Sequence, residues 1–322
     1  MPYNSIISRT DATALIPIDI SNEILSAVPQ QSAVMQLARR LPNMSVAQRR
    51  LPVTSALATA YFVSGDTGLK QTTEVNWENK YIDAEELAVI VPIAQNVLDD
   101  SGFPIWAEVR PSIVEAFGVA IDQAVLYGTN IPATWTTNLG AAGLIAVIAA
   151  ASQNVSLAAY ADTYEAILGE TAGGTSGLFG MVEADGFMVT GSIASLPMKR
   201  KLRNVRDADG GLIFTNSMQG ANSYMLDGAP CIFPTNGAIS STYHLISGQW
   251  NQLVYAMRQD ITWSLATEGV ITDAGGGIVY NLFQQDMVAL RAVMRIGFAL
   301  PNPINRVQGT AASRCAFAYL TD

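Results

Sequence analysis

The sequence contains little charge, one histidine and two cysteines. Charged residues make up 14% of its 322 residues, whereas soluble domains usually carry about 25%. Because the cores of protein interfaces are depleted of charge, this composition favours large contacts between subunits. Cys231 and Cys315 lie in apolar stretches outside any C-x-x-C motif, which predicts buried, reduced thiols of the kind found in cytosolic proteins.

The sequence also lacks a recognisable signal for export or membrane insertion. Its first residues do not show the basic-then-apolar order of a signal peptide. The longest apolar run, residues 139–151, is too short to span a bilayer. We therefore expect a chain that assembles in the cytoplasm and has no membrane partner.

The scarcity of histidine restricts the chemistry that the chain can perform. Acid–base catalysis, zinc binding and nucleophilic catalysis usually need a histidine with partners in a defined arrangement, and His244 stands alone in a strand-like context. Ser247 lies outside a G-x-S-x-G elbow, and "GDTGLKQT" lacks the spacing of a phosphate-binding loop. Asp99 and Asp100 are adjacent and diverge in direction. We expect no enzyme, no metal site and no cofactor; an unrecognised hydrolase that uses His244 is the alternative.

The net charge of −9 is distributed in runs of one sign. Proteins that grip DNA usually carry a basic domain, so this balance argues against DNA binding by the whole chain. Each run is either a solvated surface or one side of a complementary contact between subunits. For "KRKLRNVR" (199–206) a nucleic-acid contact is a further alternative, although no aromatic residue interleaves for base stacking. The acidic tract comprises Glu74, Glu78, Asp83, Glu85, Glu86, Asp99 and Asp100.

Residues 49–92 predict a long two-stranded ribbon. The segments "RRLPVTSALATAYFVS" and "LKQTTEVNWENKYIDAEELAVIVPI" place β-branched and aromatic residues between polar ones, and "GDTG" between them is a turn signal. The outgoing strand would reach about 50 Å at 3.3 Å per residue. A two-stranded ribbon is not stable alone in water. We therefore expect it to lie on another copy of the same chain.

A long amphipathic helix is predicted over about 104–127. It ends at Gly128, the residue type that commonly terminates helices, and Asp99, Asp100 and Ser101 are candidate capping residues before it. Pro111 inside the helix predicts a kink or a restart. The apolar positions recur at spacings of three and four: Val109, Ile113, Phe117, Ala120 (or Ile121) and Ala124.

The remainder mixes helices and strands, which predicts an α+β fold. Helices are expected at 162–172 and 192–207, and strands at 186–191 and 225–234. The chain then becomes rich in β-branched residues and closes with a strand at 313–321.

Several segments, taken in order, resemble one protein family. "LIPIDISNEILSAVPQQSAVMQLARRLP" is similar to an arm leading into a short helix, "VLDDSGFPIWAEV" to the entry of a spine helix, and "MLDGAPCIFP" to a leucine-glycine-x-proline-valine strand. "SGQWNQLVYAMRQDI" resembles a glycine-aspartate strand pair, with Gln249 or Asn251 where an acid is common, and "MVALRAVMRIGFALPNPINRV" an arginine-rich terminal strand. The family is that of the major capsid proteins of tailed bacteriophages. The order of segments from about residue 15 onward carries the resemblance.

The resemblance implies the Hong Kong 97-type capsid fold, with an N-terminal arm, an extended β-hairpin loop, a peripheral domain with a long spine helix, and an axial domain. The corresponding ranges are 1–48 for the arm, 49–92 for the loop, 93–132 and 257–306 for the peripheral domain, and 133–256 and 307–322 for the axial domain.

The resemblance also implies a structural function. The chain would self-assemble as hexamers and pentamers into an icosahedral head that encloses double-stranded DNA, and would be found in the virion. Partners would be further copies, a portal and a separate scaffolding or decoration protein. An acidic subunit suits such a container because it holds DNA without adhering to it.

Twelve residues are candidates for contacts between subunits. Some members of the family join subunits through a lysine–asparagine isopeptide bond, assisted by a glutamate. Lys70 would be the donor, with Lys80 as the spare, and Asn302 or Asn305 the acceptor; an ordinary charge on the loop is the alternative. The twelve residues are Arg39, Arg40, Arg49, Arg50, Lys70, Glu74, Trp77, Glu78, Lys80, Lys199, Arg200 and Lys201.

Two related functions remain as alternatives. An encapsulin is a bacterial compartment of the same fold that packages an enzyme, but its arm begins with a cargo-binding helix, whereas this arm is polar and broken by proline. A tail or decoration protein would not explain the long helix after the ribbon. Because the sequence reaches its arm about 15 residues after Met1, we expect a separate scaffolding protein or a scaffolding segment that this sequence leaves out.

Overall fold

The computed structural model describes residues 31–63, 68–101, 104–171, 174–206 and 224–322. The helices are α1 (Ala33–Leu37), α2 (Gln95–Asp100), α3 (Ile105–Tyr127), α4 (Thr136–Leu139), α5 (Gly143–Ala150), α6 (Thr163–Ile167), α7 (Leu178–Ala184) and α8 (Leu196–Arg203). The strands are β1 (Arg39–Arg40), β2 (Gln48–Ala56), β3 (Asn76–Asp83), β4 (Glu85–Ala94), β5 (Asn154–Ser156), β6 (Gly191–Ala194), β7 (Met225–Leu226), β8 (Ala229–Ile232), β9 (Leu245–Gly248), β10 (Val254–Ala266), β11 (Val270–Thr272), β12 (Ile278–Asn281), β13 (Met287–Ala299) and β14 (Phe317–Thr321). Most of the predicted arm lies outside the described residues.

A four-stranded sheet carries the long helix α3 on one face. Its order is β1-β10-β13-β4; β13 is antiparallel to both β10 and β4, and β1 is parallel to β10. The inward side chains of these strands and of α3 belong to one hydrophobic core. Phe298 on β13 lies between the rings of Trp135 and Tyr255, with centroid distances of 5.3 and 5.6 Å.

A six-stranded sheet forms the second layer. Its order is β5-β14-β9-β6-β8-β7, and the final strand β14 lies between β5 and β9. The sheet contributes to the same core, in which Trp250 packs edge-on against Phe317 at 5.2 Å. Cys231 and Cys315 are buried free thiols, as predicted, and burial raises the pKa of each to about 12. No helix in the described ranges is both long and apolar enough to cross a membrane.

The long helix confirms the sequence pattern in its body but not at its start. It ends at Gly128, whose φ of 70° is left-handed, as predicted. The N-cap is Pro104, which supplies no side-chain hydrogen bond, because Asp99 and Asp100 lie in the separate helix α2. The prediction of these residues as caps was therefore wrong. The helix continues through Pro111 without a restart.

The predicted return strand of the ribbon is divided at Ala84. Residues 76–83 pair with β2, whereas β4 pairs with β13 along its whole length. The physical reason is that Leu87, Val89 and Val91 pack against the main core, where a strand gains both a ladder and apolar burial. The predicted "GDTG" turn falls largely on residues 64–67, outside the described residues.

A second boundary differs between residues 186 and 207. The strand predicted at 186–191 lies instead at β6, within the segment predicted as helix, and α8 begins only at Leu196. All four residues of β6 are buried and pair with β8 and β9. Tertiary pairing therefore overrides the local helical pattern at this position.

Candidate assembly interface

Residues 48–63 and 68–83, here called the strap, carry mostly exposed or half-buried side chains. Its strands β2 and β3 pair antiparallel, with Arg50 opposite Tyr81 and Thr54 opposite Trp77. Beyond these strands the two arms are joined by side chains: the backbone amide of Thr59 donates to the Thr73 hydroxyl (3.0 Å).

Large apolar side chains on the strap have little cover from their own chain. Phe62 is fully exposed, Leu69 is 87% exposed and Trp77 is 69% exposed. Large exposed apolar side chains are candidates for an interaction site in soluble proteins. The strap is therefore the candidate interface of this chain.

The return strand of the strap is anchored firmly at its root. The indole Nε1 of Trp135 donates to the carbonyl of Asp83 (2.9 Å), and Asn138 Nδ2 donates to the carbonyl of Tyr81 (2.8 Å). Ile82 is completely buried in a small cluster with Val254 and Ala299. The root of the strap is therefore held in place by hydrogen bonds and by burial, whereas the rest of the strap is exposed.

The four arginines near the start of the described chain differ in their surroundings. Arg39 and Arg40 form β1 and are exposed, and Arg40 donates to Asn43 Oδ1 (3.3 Å). Arg49 donates to the carbonyls of Pro42 (2.7 Å) and Asn43 (2.9 Å), so its guanidinium stabilises the segment that precedes the strap. Arg50 is exposed on β2.

The charged strap residues are also of two kinds. Lys70 and Glu74 are exposed outside the regular strands. Glu78 and Lys80 form an ion pair within β3, with 3.1 Å between Oε1 and Nζ. Such an exposed pair contributes little stability, so both groups can exchange partners on association.

The basic run 199–206 is partly occupied by contacts within the chain. Lys199 lies 4.2 Å from the ring centroid of Tyr224, and Lys201 Nζ donates to Asp322 Oδ1 (2.6 Å). This hydrogen bond, followed by one from His244, lowers the pKa of the Asp322 carboxyl. Arg200 is exposed. The described contacts of Lys199 and Lys201 are with Tyr224, Phe233, His244 and Asp322, and none of these residues belongs to the strap.

Asp122 is a structurally important residue that the sequence reasoning missed. It is completely buried on α3, where its carboxylate accepts hydrogen bonds from the Ser32 hydroxyl and from the amides of Ala33 (2.9 Å) and Val34 (3.1 Å). Burial raises the pKa of Asp122, while these three bonds lower it. An acid within the buried face of an amphipathic helix was the available signal.

The described residues hold little that resembles a reaction centre. His244 is buried, with Nε2 2.7 Å from Asp322 Oδ1 and 3.3 Å from Lys201 Nζ. The Ser247 hydroxyl is hydrogen-bonded to that of Ser192 at 2.8 Å. Within the described ranges no group of three or more His, Cys, Asp or Glu side chains could hold a metal ion.

The two candidate cross-link acceptors take part in hydrogen bonds within the chain. Asn302 Nδ2 donates to the carbonyl of Arg314 (3.0 Å), and Asn305 Nδ2 donates to the carbonyl of Asp185 (2.6 Å). Lys80 and Asn302 line one cleft of about 230 Å³ at the root of the strap. Cross-linking through Lys70 remains a prediction.

Comparison with known proteins matches most of the chain to one family. The model of the phage capsid family matches residues 12–306. The major capsid protein of Staphylococcus phage 80alpha is 25% identical over 282 residues, which cover 86% of this chain and 79% of that protein.

Solved structures show the same fold. A chain from Microbacterium phage Oxtober96 superposes with a TM-score of 0.82 at 32% identity, covering 98% of this chain and 99% of that one. A chain from Mycobacterium phage Bobi gives a TM-score of 0.77 at 27% identity, with 98% and 99% covered. The capsid of a native GTA particle, at 17% identity and a TM-score of 0.63 over 99% of both chains, shares the fold alone.

Proposed function

This chain belongs to the phage capsid family, and from that premise we propose that it assembles as hexamers and pentamers into an icosahedral head around double-stranded DNA. Its role as a phage major capsid protein, with the Hong Kong 97-type fold, follows from the family and from its similarity to the 80alpha capsid protein. The arrangement of the copies is the part that we propose.

The observation that carries this proposal is the strap. Its root is held by Trp135 and Asn138, while Phe62 and Leu69 lie exposed beyond it. In a monomer this apolar surface would be a liability. In a shell the strap overlaps the adjacent copy and buries these side chains there.

The division of labour within the chain is part of the same proposal. The arm (1–48) and the loop (49–92) join neighbouring copies, except that residues 85–92 of the loop pair with β13 of their own chain. The peripheral domain (93–132 and 257–306) forms the sides of each hexamer or pentamer, and the axial domain (133–256 and 307–322) meets at its centre. In support of the axial ranges, all six strands of the six-stranded sheet come from them, whereas the four-stranded sheet also takes β1 from the arm and most of β4 from the loop.

The remaining partners follow from the same role. Copies would assemble in the cytoplasm of the host bacterium with a portal and a separate scaffolding or decoration protein. Packaged DNA would be held without sequence specificity, because a net charge of −9 per copy repels it on average. The finished location is the virion, and the chain performs no catalysis.

Electron microscopy of the chain expressed alone tests the proposal. The large-particle fraction from size exclusion should contain closed shells, or rings of five and six copies. If the chain stays monomeric both alone and with a scaffolding protein and portal, the proposal is wrong.

Covalent cross-linking is tested on the same particles. If Lys70 forms an isopeptide bond with a neighbour, boiled and denatured particles should show a ladder above the 34.3 kDa subunit. Replacing Lys70 with arginine should then remove the ladder, and a single subunit band from wild-type particles would exclude this chemistry.

A further inference from the structure

The outgoing strand of the strap is held by a loop that is distant in sequence. Residues 300–309, here called the bracket, follow β13 and lie against β2. The backbone amide of Ile304 donates to the carbonyl of Thr54 (3.2 Å). Arg306 Nη2 donates to the carbonyl of Ala58 (2.8 Å), which lies two residues beyond the end of β2. The bracket therefore reaches further along the strap than the paired strands do.

Both strands of the strap are therefore held near its root. Trp135 and Asn138 hold the return strand, and the bracket holds the outgoing strand. Between Ala58 and Asn76, the side-chain hydrogen bonds of the described residues stay within the strap itself. The contact between Arg306 and Ala58 is therefore the outermost hydrogen bond between the strap and the body within the described residues.

A buried guanidinium holds the bracket in shape. Arg314 is 4% exposed and donates to Asn302 Oδ1 (3.1 Å), to the carbonyl of Asn302 (2.9 Å) and to that of Gln308 (3.0 Å). These acceptors lie near both ends of the bracket. A single rigid fork of donors therefore closes the loop across its width.

The bracket is also tied to the body at the end of α7 and just before β14. Asn305 Nδ2 donates to the carbonyl of Asp185, while its Oδ1 accepts from the amide of Gln308 (2.7 Å). The Asp185 carboxylate is buried and accepts from the amide of Cys315 (2.8 Å). A Cβ atom added at Gly186 would lie 2.8 Å from Val307. The bracket therefore packs directly on a fixed polar network.

We infer that the bracket sets the direction in which the strap leaves the body, and that Arg306 is the positioning residue through which it does so. The inference rests on the proposed function, because the direction of the strap matters only if a second copy receives it. Residues 57–63 would extend about 23 Å beyond β2 at 3.3 Å per residue. A small angular error at Ala58 becomes a large displacement at the tip. A strap held in its binding direction loses less freedom when a neighbour binds it.

The test measures the direction of the strap and assembly in the same variants. Spin labels at Thr72→Cys and Glu183→Cys report the distance between strap and body, while Cys231 and Cys315 are buried and stay unlabelled. Arg306→Ala should broaden the distance distribution and slow shell assembly, with the melting temperature unchanged. Arg306→Lys, which keeps a donor and the charge, should restore both. Arg203→Ala, which removes an exposed positive charge away from the bracket, should keep the wild-type distance distribution.

The outcomes separate positioning from simple stabilisation. An unchanged distance distribution in Arg306→Ala would overturn the inference, and so would a broadened distribution with wild-type assembly kinetics. Asn305→Ala provides a second variant, because it removes the tie to Asp185 and should broaden the distribution as well. Wild-type subunits that form no shells would count against the proposed function instead, and the distances would still decide whether the bracket holds the strap.

Discussion

At the scale of single residues, burial and hydrogen bonding act on Asp122 in opposite directions. Burial disfavours the ionised carboxylate. Its two oxygen atoms nevertheless accept hydrogen bonds from the Ser32 hydroxyl and from two amides at the start of α1, where helical amides have no intrahelical partner. Replacing it with alanine would leave these donors unpaired, at about 1–3 kcal/mol for each buried group. Asp122 therefore fixes where the N-terminal segment meets the spine helix.

We expect Asp122 to make folding stability fall as the pH rises above its unfolded pKa. The pKa of Asp122 in the folded chain is raised from 3.8, so the folded state binds the proton more tightly than the unfolded state. The resulting stabilisation is complete below pH 3.8 and is lost as the pH rises through the folded pKa. Urea midpoints measured across this range should show the slope in wild type and not in Asp122→Asn.

Asp99→Asn is the matched control for this prediction, because Asp99 is exposed at the end of α2. This variant should keep the wild-type dependence of folding stability on pH, from pH 3.8 up to the folded pKa of Asp122. An Asp122→Asn protein whose stability followed the wild-type pH dependence throughout would show that the carboxylate does not titrate in this way.

At the scale of elements, the root of the strap depends on close contact with β13. A Cβ atom added at Gly297 would lie 2.5 Å from the carbonyl oxygen of Asp83 and 2.6 Å from Ile82. Both are backbone or fully packed atoms at the end of β3. The absence of a side chain at Gly297 therefore allows the end of β3 to lie in direct contact with β13.

Gly297→Ala should lower the free energy of unfolding by about 1–3 kcal/mol, the usual cost of overpacking a core. It should also speed hydrogen exchange at the root of the strap, because Asp83 must move away. Gly309→Ala is the control, since a Cβ at Gly309 meets no atom within 4 Å. Equal stability of the two variants would contradict the tight contact.

In the basic helix α8, some of the positive charges already contact groups of the same chain. Lys199 stacks on Tyr224, and Lys201 bonds Asp322, so two of its cations already have partners within the chain. This leaves Arg200 and Arg203 as exposed cations of the helix. We expect a contact of α8 with a neighbouring strap or with DNA to use those two arginines first, because both are exposed.

At the scale of the whole molecule, assembly should depend on two exposed apolar side chains of the strap, Phe62 and Leu69, here called the apolar tip. Replacing Phe62 and Leu69 with serine removes side chains worth about 1.5–3 kcal/mol each when fully buried. We expect the double variant to keep the wild-type melting temperature, because both side chains are exposed in the subunit. Its critical concentration for shell formation, measured by light scattering, should rise at least tenfold, since about 1.4 kcal/mol corresponds to a factor of ten.

Ala60→Ser controls for added polarity, because Ala60 lies in the same exposed stretch and has no large apolar surface to lose. It should assemble like wild type. Normal assembly of the double variant would mean that the strap tip is not buried in the shell.

The acidic balance of the molecule predicts weak binding to nucleic acid. At a net charge of −9, the subunit should not retard double-stranded DNA in a native gel at physiological ionic strength, because electrostatic attraction supplies most non-specific affinity. Binding that weakens steeply with added salt would contradict this and would point to the exposed arginines of α8. An Arg200→Ala/Arg203→Ala variant would then decide between α8 and another surface.

The sequence alone determined the features that depend on local order. The spacing of Ile113, Phe117 and Ala124 and the terminal Gly128 defined the body and end of α3, since helical periodicity is written within a single segment. The apolar context of Cys231 and Cys315 likewise predicted their burial. The order of segments identified the family, which the match over residues 12–306 confirms.

Only the tertiary structure decided which residues that are distant in sequence contact each other. The pairing of β4 with β13 rather than with the strap, and of β6 with β9, depends on strands far apart in sequence. The bonds of Asp122 to α1 and of Arg306 to the strap join residues separated by 88 or more positions. Such contacts are fixed by the burial and hydrogen bonding of the folded whole, which the residues beside each strand or side chain do not record.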